Sequence, residues 1–419
     1  MRIVTALLIL FLPGLLPAQV DTTQHIISGR SNSKQQQQKP YVILISVDGL
    51  RYDLVDKYHA THLQQLRNGG VAAKAMIPSY PSLTFPNHYT LVTGLYPAHH
   101  GLVDNTFYDK KRNELYRLGN RKAVEDSSWY NGTPLWVLAE QQQMVTASFY
   151  WVGSESAIKG VRPSYYYRFS DSIDMDTRIK AVKDWLTLPE DKRPHLITFY
   201  MPQVDHEEHT YGPESKQAEE AVQFVDESIG KMVRMTDSLK LPINYILLSD
   251  HGMIAADTVH QLPMPAAIDT AKFKVSDGDV LVHLYANNAN DIQATYTALK
   301  QQAVDYDVYL AKEIPARWHY SATDDYYQRI GDLILVPQAP KSFNFRRRKS
   351  LLGKHGFDNA LPEMQATFYA WGPAFKKQLQ IPAFENVHVY PLVAQILGLR
   401  VTEKIDGSLE VLKPILKTK

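Results

Sequence analysis

Tyr41-Val-Ile-Leu-Ile-Ser-Val-Asp-Gly49 sets the architecture of this chain. Residues 41–47 form a continuous apolar run, the mark of a strand buried on both faces of a sheet. The run closes on Asp48-Gly49, and a carboxylate at the C-terminal end of a central strand lies where α/β sheets place their chemistry. Two later stretches repeat the pattern: His195-Leu-Ile-Thr-Phe-Tyr200 leads into Asp205, and Ile243-Asn-Tyr-Ile-Leu-Leu-Ser249 leads into Asp250-His251-Gly252. Thr146 to Trp151 reads as a fourth strand and Gln365 to Ala370 as a fifth. Between them lie helical patterns at Asp53 to Arg67, at Trp136 to Gln143, over 216–238 and at Val389 to Leu397. Strands alternating with helices at intervals of roughly 30–50 residues predict an α/β fold with a doubly wound, mostly parallel central sheet flanked by helices. Residues 254–350 lack this regularity and are expected to form an inserted lid. No internal repeat is visible.

The second informative stretch is Tyr80-Pro-Ser-Leu-Thr-Phe-Pro-Asn-His-Tyr-Thr-Leu-Val-Thr-Gly94. Pro81 and Pro86 bracket Thr84 and keep it out of the middle of a regular element. From His88 onward the pattern is helix-compatible, which places Thr84 just before a helix N-terminus. Unpaired N–H groups and the helix dipole favour an anion there. A threonine hydroxyl so placed can attack phosphorus if a metal ion lowers its pKa. An N-cap role is the simpler reading of a lone threonine. The rest of the chain decides between them.

The chain has 419 residues and is 44% hydrophobic, enough for a large core. Lys and Arg number 45 against 44 for Asp and Glu, a net charge of +1, so no polyanion bias arises and nucleic acid polymers are not expected partners. Arg346-Arg347-Arg348-Lys349 is the one basic cluster and reads as a solvated loop. Residues 1–18 have the pattern of a secretory signal peptide: Arg2, an apolar run broken at Pro13-Gly14, and Leu16-Pro17-Ala18 for cleavage. That run is too short and interrupted to span a membrane. Residues 19–39, with Gln35-Gln-Gln-Gln38, are expected as a disordered linker, and 40–419 as the catalytic domain. The chain has no cysteine, which removes disulfides, thiolate metal sites, lipoprotein anchoring and any nucleophile made by oxidising cysteine. Export without disulfides fits a periplasmic or secreted bacterial protein.

Some features carry less. His99-His100 has no third ligand nearby and reads as a loop. Tyr165-Tyr-Tyr167 places three aromatics in a row, of which one is expected to stack on a planar ligand. Asp205 and His209, four apart, share a helical face. Asp250 and His251 can meet one ion only if the strand ends and turns, which Gly252 permits.

Of Asp48, Thr84, Asp205, His209, Asp250, His251 and His355, nearly all stand at or just after strand ends, which open on one edge of a parallel sheet. Three aspartates, three histidines and a hydroxyl suit two zinc ions. Such a pair clamps the attacking and leaving oxygens of an in-line displacement.

Ser46-Val-Asp-Gly49, Thr84-Phe-Pro-Asn-His-Tyr89, Thr93-Gly-Leu-Tyr-Pro97, His100-Gly-Leu-Val-Asp-Asn105, Asp205 with His209, Ser249-Asp-His-Gly252 and Lys354-His-Gly356 together resemble the nucleotide pyrophosphatase/phosphodiesterase family of the alkaline phosphatase superfamily, over about residues 40–400. The resemblance implies an alkaline phosphatase-like fold and two Zn2+. Asp48, Thr84, Asp250 and His251 would hold one ion, and Asp205, His209 and His355 the other. Thr84 would be the nucleophile and become transiently nucleotidylated. Water on the second zinc would then release the nucleoside monophosphate. Asn105 and the Thr84 backbone N–H would bind a non-bridging oxygen. A nucleobase would stack between Phe85 and a tyrosine, Tyr166 by position. The implied partner is a small nucleotide with AMP as a product; no protein partner and no stable membrane insertion are expected. Gly153-Ser-Glu-Ser-Ala-Ile-Lys-Gly160 resembles nucleotide-cleaving members more than those that cleave lysophospholipids or choline phospholipids. A phosphomonoesterase and a non-catalytic nucleotide-binding protein are the other readings.

Overall fold

The computed structural model describes residues 21–418 except 277, so the expected signal peptide at 1–18 lies outside the described residues. A nine-stranded sheet runs through the middle of the molecule. Its strands are β1 (Gln24–Ile26), β2 (Tyr41–Val47), β3 (Val71–Ala73), β4 (Thr146–Phe149), β5 (Tyr165–Tyr167), β6 (Leu196–Met201), β7 (Ile243–Leu248), β8 (Phe368–Trp371) and β9 (Leu379–Ile381). Their spatial order is β1-β5-β4-β6-β2-β7-β8-β3-β9. Only β1 and β8 run against the others. The doubly wound, mostly parallel sheet expected from the strand pattern is therefore present.

The run 41–47 is apolar throughout because both faces of β2 are covered. Val42 and Leu44 join one apolar cluster, whereas Ile43, Ile45 and Val47 join the other. Helices α2 (Thr84–Thr93), α3 (Leu135–Gln141) and α7 (Val389–Leu397) cover the first face. Helices α1 (Thr61–Gly69), α4 (Met175–Leu186) and α6 (Lys216–Asp237) cover the second. In α6 the buried residues Ala218, Ala221, Val222, Val225, Ile229 and Met232 fall at helical spacing and form one stripe. Ser215 caps that helix, its Oγ accepting the Ala218 N–H at 3.1 Å. No helix among the described residues is long and apolar enough to cross a membrane.

Two expectations need correction. Residues 21–39 are not a disordered linker. β1 pairs antiparallel with β5, and Gln36–Gln38 forms a 3-10 turn. Asn32 is buried; its amide donates to Glu190 O (2.9 Å) and Arg193 O (2.7 Å), and its Oδ1 accepts the Val145 N–H (2.7 Å). The amide side chains that make this stretch look like solvated low-complexity sequence satisfy backbone groups at the sheet edge.

Residues 254–350, expected as an irregular inserted lid, are more regular than expected. Phe273–Val275, Val282–Ala286, Leu333–Pro337 and Tyr306–Leu310 form an antiparallel sheet in that order, backed by the helix Ile292–Gln302. This insert packs beside the loop that follows α2. Arg329 pairs with Asp109 at 2.9 Å, both side chains buried, and donates to Gly101 O (2.8 Å) and Trp129 O (2.9 Å). All three pairings are antiparallel, so the insert lacks the strand–helix–parallel strand spacing of the main sheet.

Candidate metal centre and cavity

Each side chain of the expected constellation is delivered by a strand end or by the helix after it. Asp48 follows β2 and Asp250-His251 follows β7. Helix α5 (Gln203–Tyr211) starts two residues after β6 and carries Asp205 and His209 one turn apart. The Asp205 N–H donates to Asp48 O at 3.1 Å, locking α5 onto the end of β2. Gly49 makes that approach feasible. Its φ is +75°, and a Cβ there would lie 3.0 Å from the Asp205 Cα. Gly252 does not need a left-handed backbone; it needs room, since a Cβ would stand 2.3 Å from Glu363 O. Thr84 is the first residue of α2, one position inside the helix, with Leu83 extended before it as the N-cap.

The seven residues converge. His251 Nε2 lies 3.0 Å from Asp250 Oδ2, 3.4 Å from Asp48 Oδ1 and 3.3 Å from Thr84 Oγ1. Asp205 Oδ1 lies 3.4 Å from His209 Nε2 and 3.5 Å from His355 Nε2, and the two Nε2 atoms are 3.2 Å apart. The His251 and His355 rings stack with centroids 3.6 Å apart. Two groups have ligand atoms close enough to share an ion: Asp48, Asp250 and His251, and Asp205, His251 and His355.

The donor chemistry fits cations. His209 Nδ1 donates to Gly353 O (2.8 Å), His251 Nδ1 to Gly252 O (2.9 Å) and His355 Nδ1 to Ser82 O (2.9 Å). With those protons committed, each Nε2 turns a lone pair toward the aspartates. Asp48 Oδ1, Asp205 Oδ1 and Asp250 Oδ2 are buried without a hydrogen-bond donor. A buried carboxylate oxygen facing imidazole lone pairs is costly unless positive charge lies between them.

The titration behaviour has the same origin. Burial, reinforced by the Asp250 and Asp205 carboxylates, pushes Asp48 well above the usual carboxylate range. Burial also raises Asp205. Burial together with His251 and His209 holds His355 well below an ordinary imidazole. Asp250 is the exception: the positive charge that His251 and His88 carry when protonated outweighs its burial and keeps it low.

Two supporting residues were missed in the sequence. His88 Nδ1 lies 3.2 Å from Asp250 Oδ2 and 3.0 Å from Thr84 O, while its Nε2 accepts from Ser46 Oγ at 2.8 Å. It stands four residues after Thr84 on the same helical face, a spacing that would have found it. Tyr200, the penultimate residue of β6, donates its hydroxyl to Asp48 Oδ2 at 2.6 Å. Nothing in the sequence marked that residue out. His99 and His100, expected in a loop, lie in the short helix Pro97–His100. They are engaged elsewhere, His99 with Asp406 (2.7 Å) and His100 with Thr90 Oγ1 (3.1 Å).

The site opens into a cavity of about 530 Å³ lined by Asp48, Thr84, Phe85, Asn105, Tyr200, Asp205, His209 and His355 at one end. Leu118, Gly119, Arg121, Val124, Tyr150, Trp151, Val152, Glu155 and Phe169 line the rest. No residue of 254–350 contributes to this lining. Asn105 Oδ1 accepts the Phe85 N–H at 3.0 Å, which leaves its amide nitrogen as the donor beside Thr84. Tyr166 is not in the cavity. It is buried in β5, its ring stacked on His25 of β1 with centroids 4.8 Å apart. The edge strand β1, from the stretch expected as a linker, covers that face of the ring. Phe169, 43% exposed and two residues beyond β5, lines the cavity in its place.

Comparison with known proteins agrees with this geometry. Residues 42–358 match the family model described as type I phosphodiesterase / nucleotide pyrophosphatase. The chain is 34% identical over 399 residues to ectonucleotide pyrophosphatase/phosphodiesterase family member 1 of Mus musculus, covering 91% of this chain and 43% of that protein. It is 35% identical over 376 residues to the Homo sapiens counterpart, covering 86% and 40%. The chain therefore spans about two fifths of the length of these curated relatives. Among solved structures, murine ectonucleotide pyrophosphatase/phosphodiesterase 5, an inactive threonine-to-alanine variant in complex with AMP, superposes with a TM-score of 0.84 at 28% identity. That match covers 90% of this chain and all of the other.

Proposed function

The chain belongs to the type I phosphodiesterase / nucleotide pyrophosphatase family, and on that premise we propose that it is a two-zinc hydrolase acting on nucleotide phosphodiesters and nucleoside triphosphates. The products would be nucleoside monophosphates, released from a threonyl-nucleotide intermediate. One observation carries the reading: Thr84 Oγ1 stands 3.3 Å from His251 Nε2 at the edge of a cluster in which one carboxylate oxygen each of Asp48, Asp205 and Asp250 is buried without a donor.

Asp48, Thr84, Asp250 and His251 would hold one zinc ion, and Asp205, His209 and His355 the second. When bound, the ions supply the charge that lowers the hydroxyl pKa and neutralises the oxygens of the displacement. The chain's own groups do the rest. His88 and Tyr200 orient Asp250 and Asp48. Thr84 Oγ, at the N-terminus of α2, attacks phosphorus; the bond to the leaving oxygen breaks and the nucleotide becomes esterified to Thr84. Water then attacks the same phosphorus, the P–Oγ bond breaks, and the hydroxyl regains its proton. The Thr84 N–H and the Asn105 amide hold a non-bridging oxygen through both displacements. The base lies between Phe85 and Phe169. Val152 and Glu155 close one wall with Trp151, which supports a nucleotide over an extended lipid chain. The names of the relatives, "ectonucleotide" above all, support action outside the cytoplasm for this chain also.

Hydrolysis of p-nitrophenyl thymidine monophosphate against p-nitrophenyl phosphate tests the reaction class; the diester is expected to be the better substrate, and preference for the monoester overturns it. Thr84→Ala is expected to lose at least about 10³-fold in turnover with zinc content unchanged. A folded Thr84→Ala protein of normal activity removes the nucleophile assignment.

A further inference from the structure

The insert that does not cover the cavity still reaches the reacting phosphate at one remove. Asn105 sits at the end of the segment Gly101–Asp104, and this segment is held from the insert side. The Tyr320 hydroxyl donates to Val103 O at 2.7 Å, and Arg329 donates to Gly101 O at 2.8 Å. The tightest hold is on Asp104. Its Oδ1 accepts the Thr106 N–H at 2.9 Å, which folds the backbone around Asn105. Its Oδ2 lies 3.0 Å from Nε2 of His283, a fully buried residue of the insert's sheet. His283 Nδ1 is in turn 2.7 Å from Ile330 O. An imidazole that stands on a strand of the insert's sheet and is engaged at both nitrogens cannot rotate freely, so it fixes Asp104 to a rigid frame.

We infer that His283 is a positioning residue for the reaction, acting through Asp104 on the Asn105 amide. The consequence is that a sheet more than 170 residues further along the chain sets the orientation of the donor that meets the phosphoryl oxygen. Asn105 is aimed by two contacts on different sides: Phe85 N–H on its Oδ1, from α2, and the His283–Asp104 pair on its backbone, from the insert. Loss of either leaves the amide in the cavity but free to swing, and displacements of an ångström at a reacting centre cost up to about 100-fold in rate. The inference rests on the role of Asn105 proposed above.

The test is a double-mutant cycle on diester hydrolysis. His283→Leu, similar in size but without a donor, is expected to lower kcat about tenfold with KM changed less than about twofold. His283→Gln, whose amide can still donate to Asp104, is expected to recover most of the loss. In the Asn105→Ala background, His283→Leu is expected to have no further effect, because the donor it aims is gone. Tyr320→Phe, which removes one hydroxyl, asks the same question if His283→Leu does not fold; its smaller loss should likewise vanish in Asn105→Ala. An equal fold-loss in both backgrounds, or wild-type kcat in the folded variants, overturns the inference. If Asn105→Ala itself turns over normally while Thr84→Ala does not, the assignment of Asn105 falls and the inference falls with it.

Discussion

Gly49→Ala is the substitution that separates the geometry of this site from the stability of its fold. The residue has φ +75°, where an L side chain costs roughly 1–2 kcal/mol. The added methyl would sit 3.0 Å from the Asp205 Cα and 3.1 Å from its Cβ, where ordinary contacts begin near 3.4 Å. Asp205 or the Asp48 turn must give by a few tenths of an ångström. The stability loss is thus about 2 kcal/mol. For a chain of this length, unfolding entropy near 2.1 cal/mol/K per residue converts it to a Tm shift of only about 2–3 °C. The activity loss is larger, because the displaced atoms belong to one proposed metal ligand, Asp205, and adjoin another, Asp48. A shift of several tenths of an ångström there is expected to lower kcat/KM about tenfold or more, with zinc content reduced. Gly29→Ala is the control. Gly29 has φ +78°, the same backbone penalty, but nothing lies within 4 Å of its Cβ position. It should lose comparable Tm and no activity. Calorimetry, zinc analysis and diester hydrolysis on the two variants decide the matter. Full activity in Gly49→Ala, or an equal activity loss in Gly29→Ala, would refute the argument.

Other outcomes follow from the same observations. Excess chelator should abolish turnover and lower Tm, because the facing carboxylate oxygens and imidazole lone pairs lose their counter-charge, and zinc should restore both; unchanged activity in chelator would remove the two-metal scheme. Phe169→Ala should raise KM for a nucleotide diester about tenfold, by loss of base stacking, while Tyr166→Ala leaves KM near wild type; the reverse result would return the base to Tyr166. Buried His100, held by desolvation at a pKa of about 3 against an ordinary 6.5, stays neutral in the folded state. Its unfolded form takes up a proton as pH falls below 6.5, so stability present above that value drains away toward pH 3. The loss is about 2 kcal/mol at pH 5. His100→Gln should unfold with a flatter pH dependence by about that amount, and an unchanged slope would count against it.

Much of this molecule is legible in the sequence because its signals are local. β2, β6 and β7 announce themselves by apolar runs that only a strand covered on both faces tolerates. Asp48, Asp205, Asp250 and His251 fall at or near the ends of those strands, and the topology of a parallel sheet brings such ends to one edge. Thr84 is marked by flanking prolines and a helical pattern behind it. The misses have a common cause as well. The polar run 21–39 was read by composition, yet Asn32 and Gln36 serve backbone groups more than a hundred residues away. Position within a triplet of tyrosines does not distinguish Tyr166 from its neighbours, and only the pairing of β1 decides that its ring is covered, while Phe169 lines the cavity.

The chain by itself therefore determined the sheet, its reactive edge and the chemical character of the ligand set, since periodicity and residue type act over a few neighbours. The tertiary structure alone decided which aromatics line the cavity, that the insert contacts the segment 101–104 ahead of Asn105, and that Tyr200 and His88 contact the carboxylates. Those facts depend on contacts between segments distant in sequence, and a contact that costs loop-closure entropy but leaves no periodic trace cannot be read until the chain is folded.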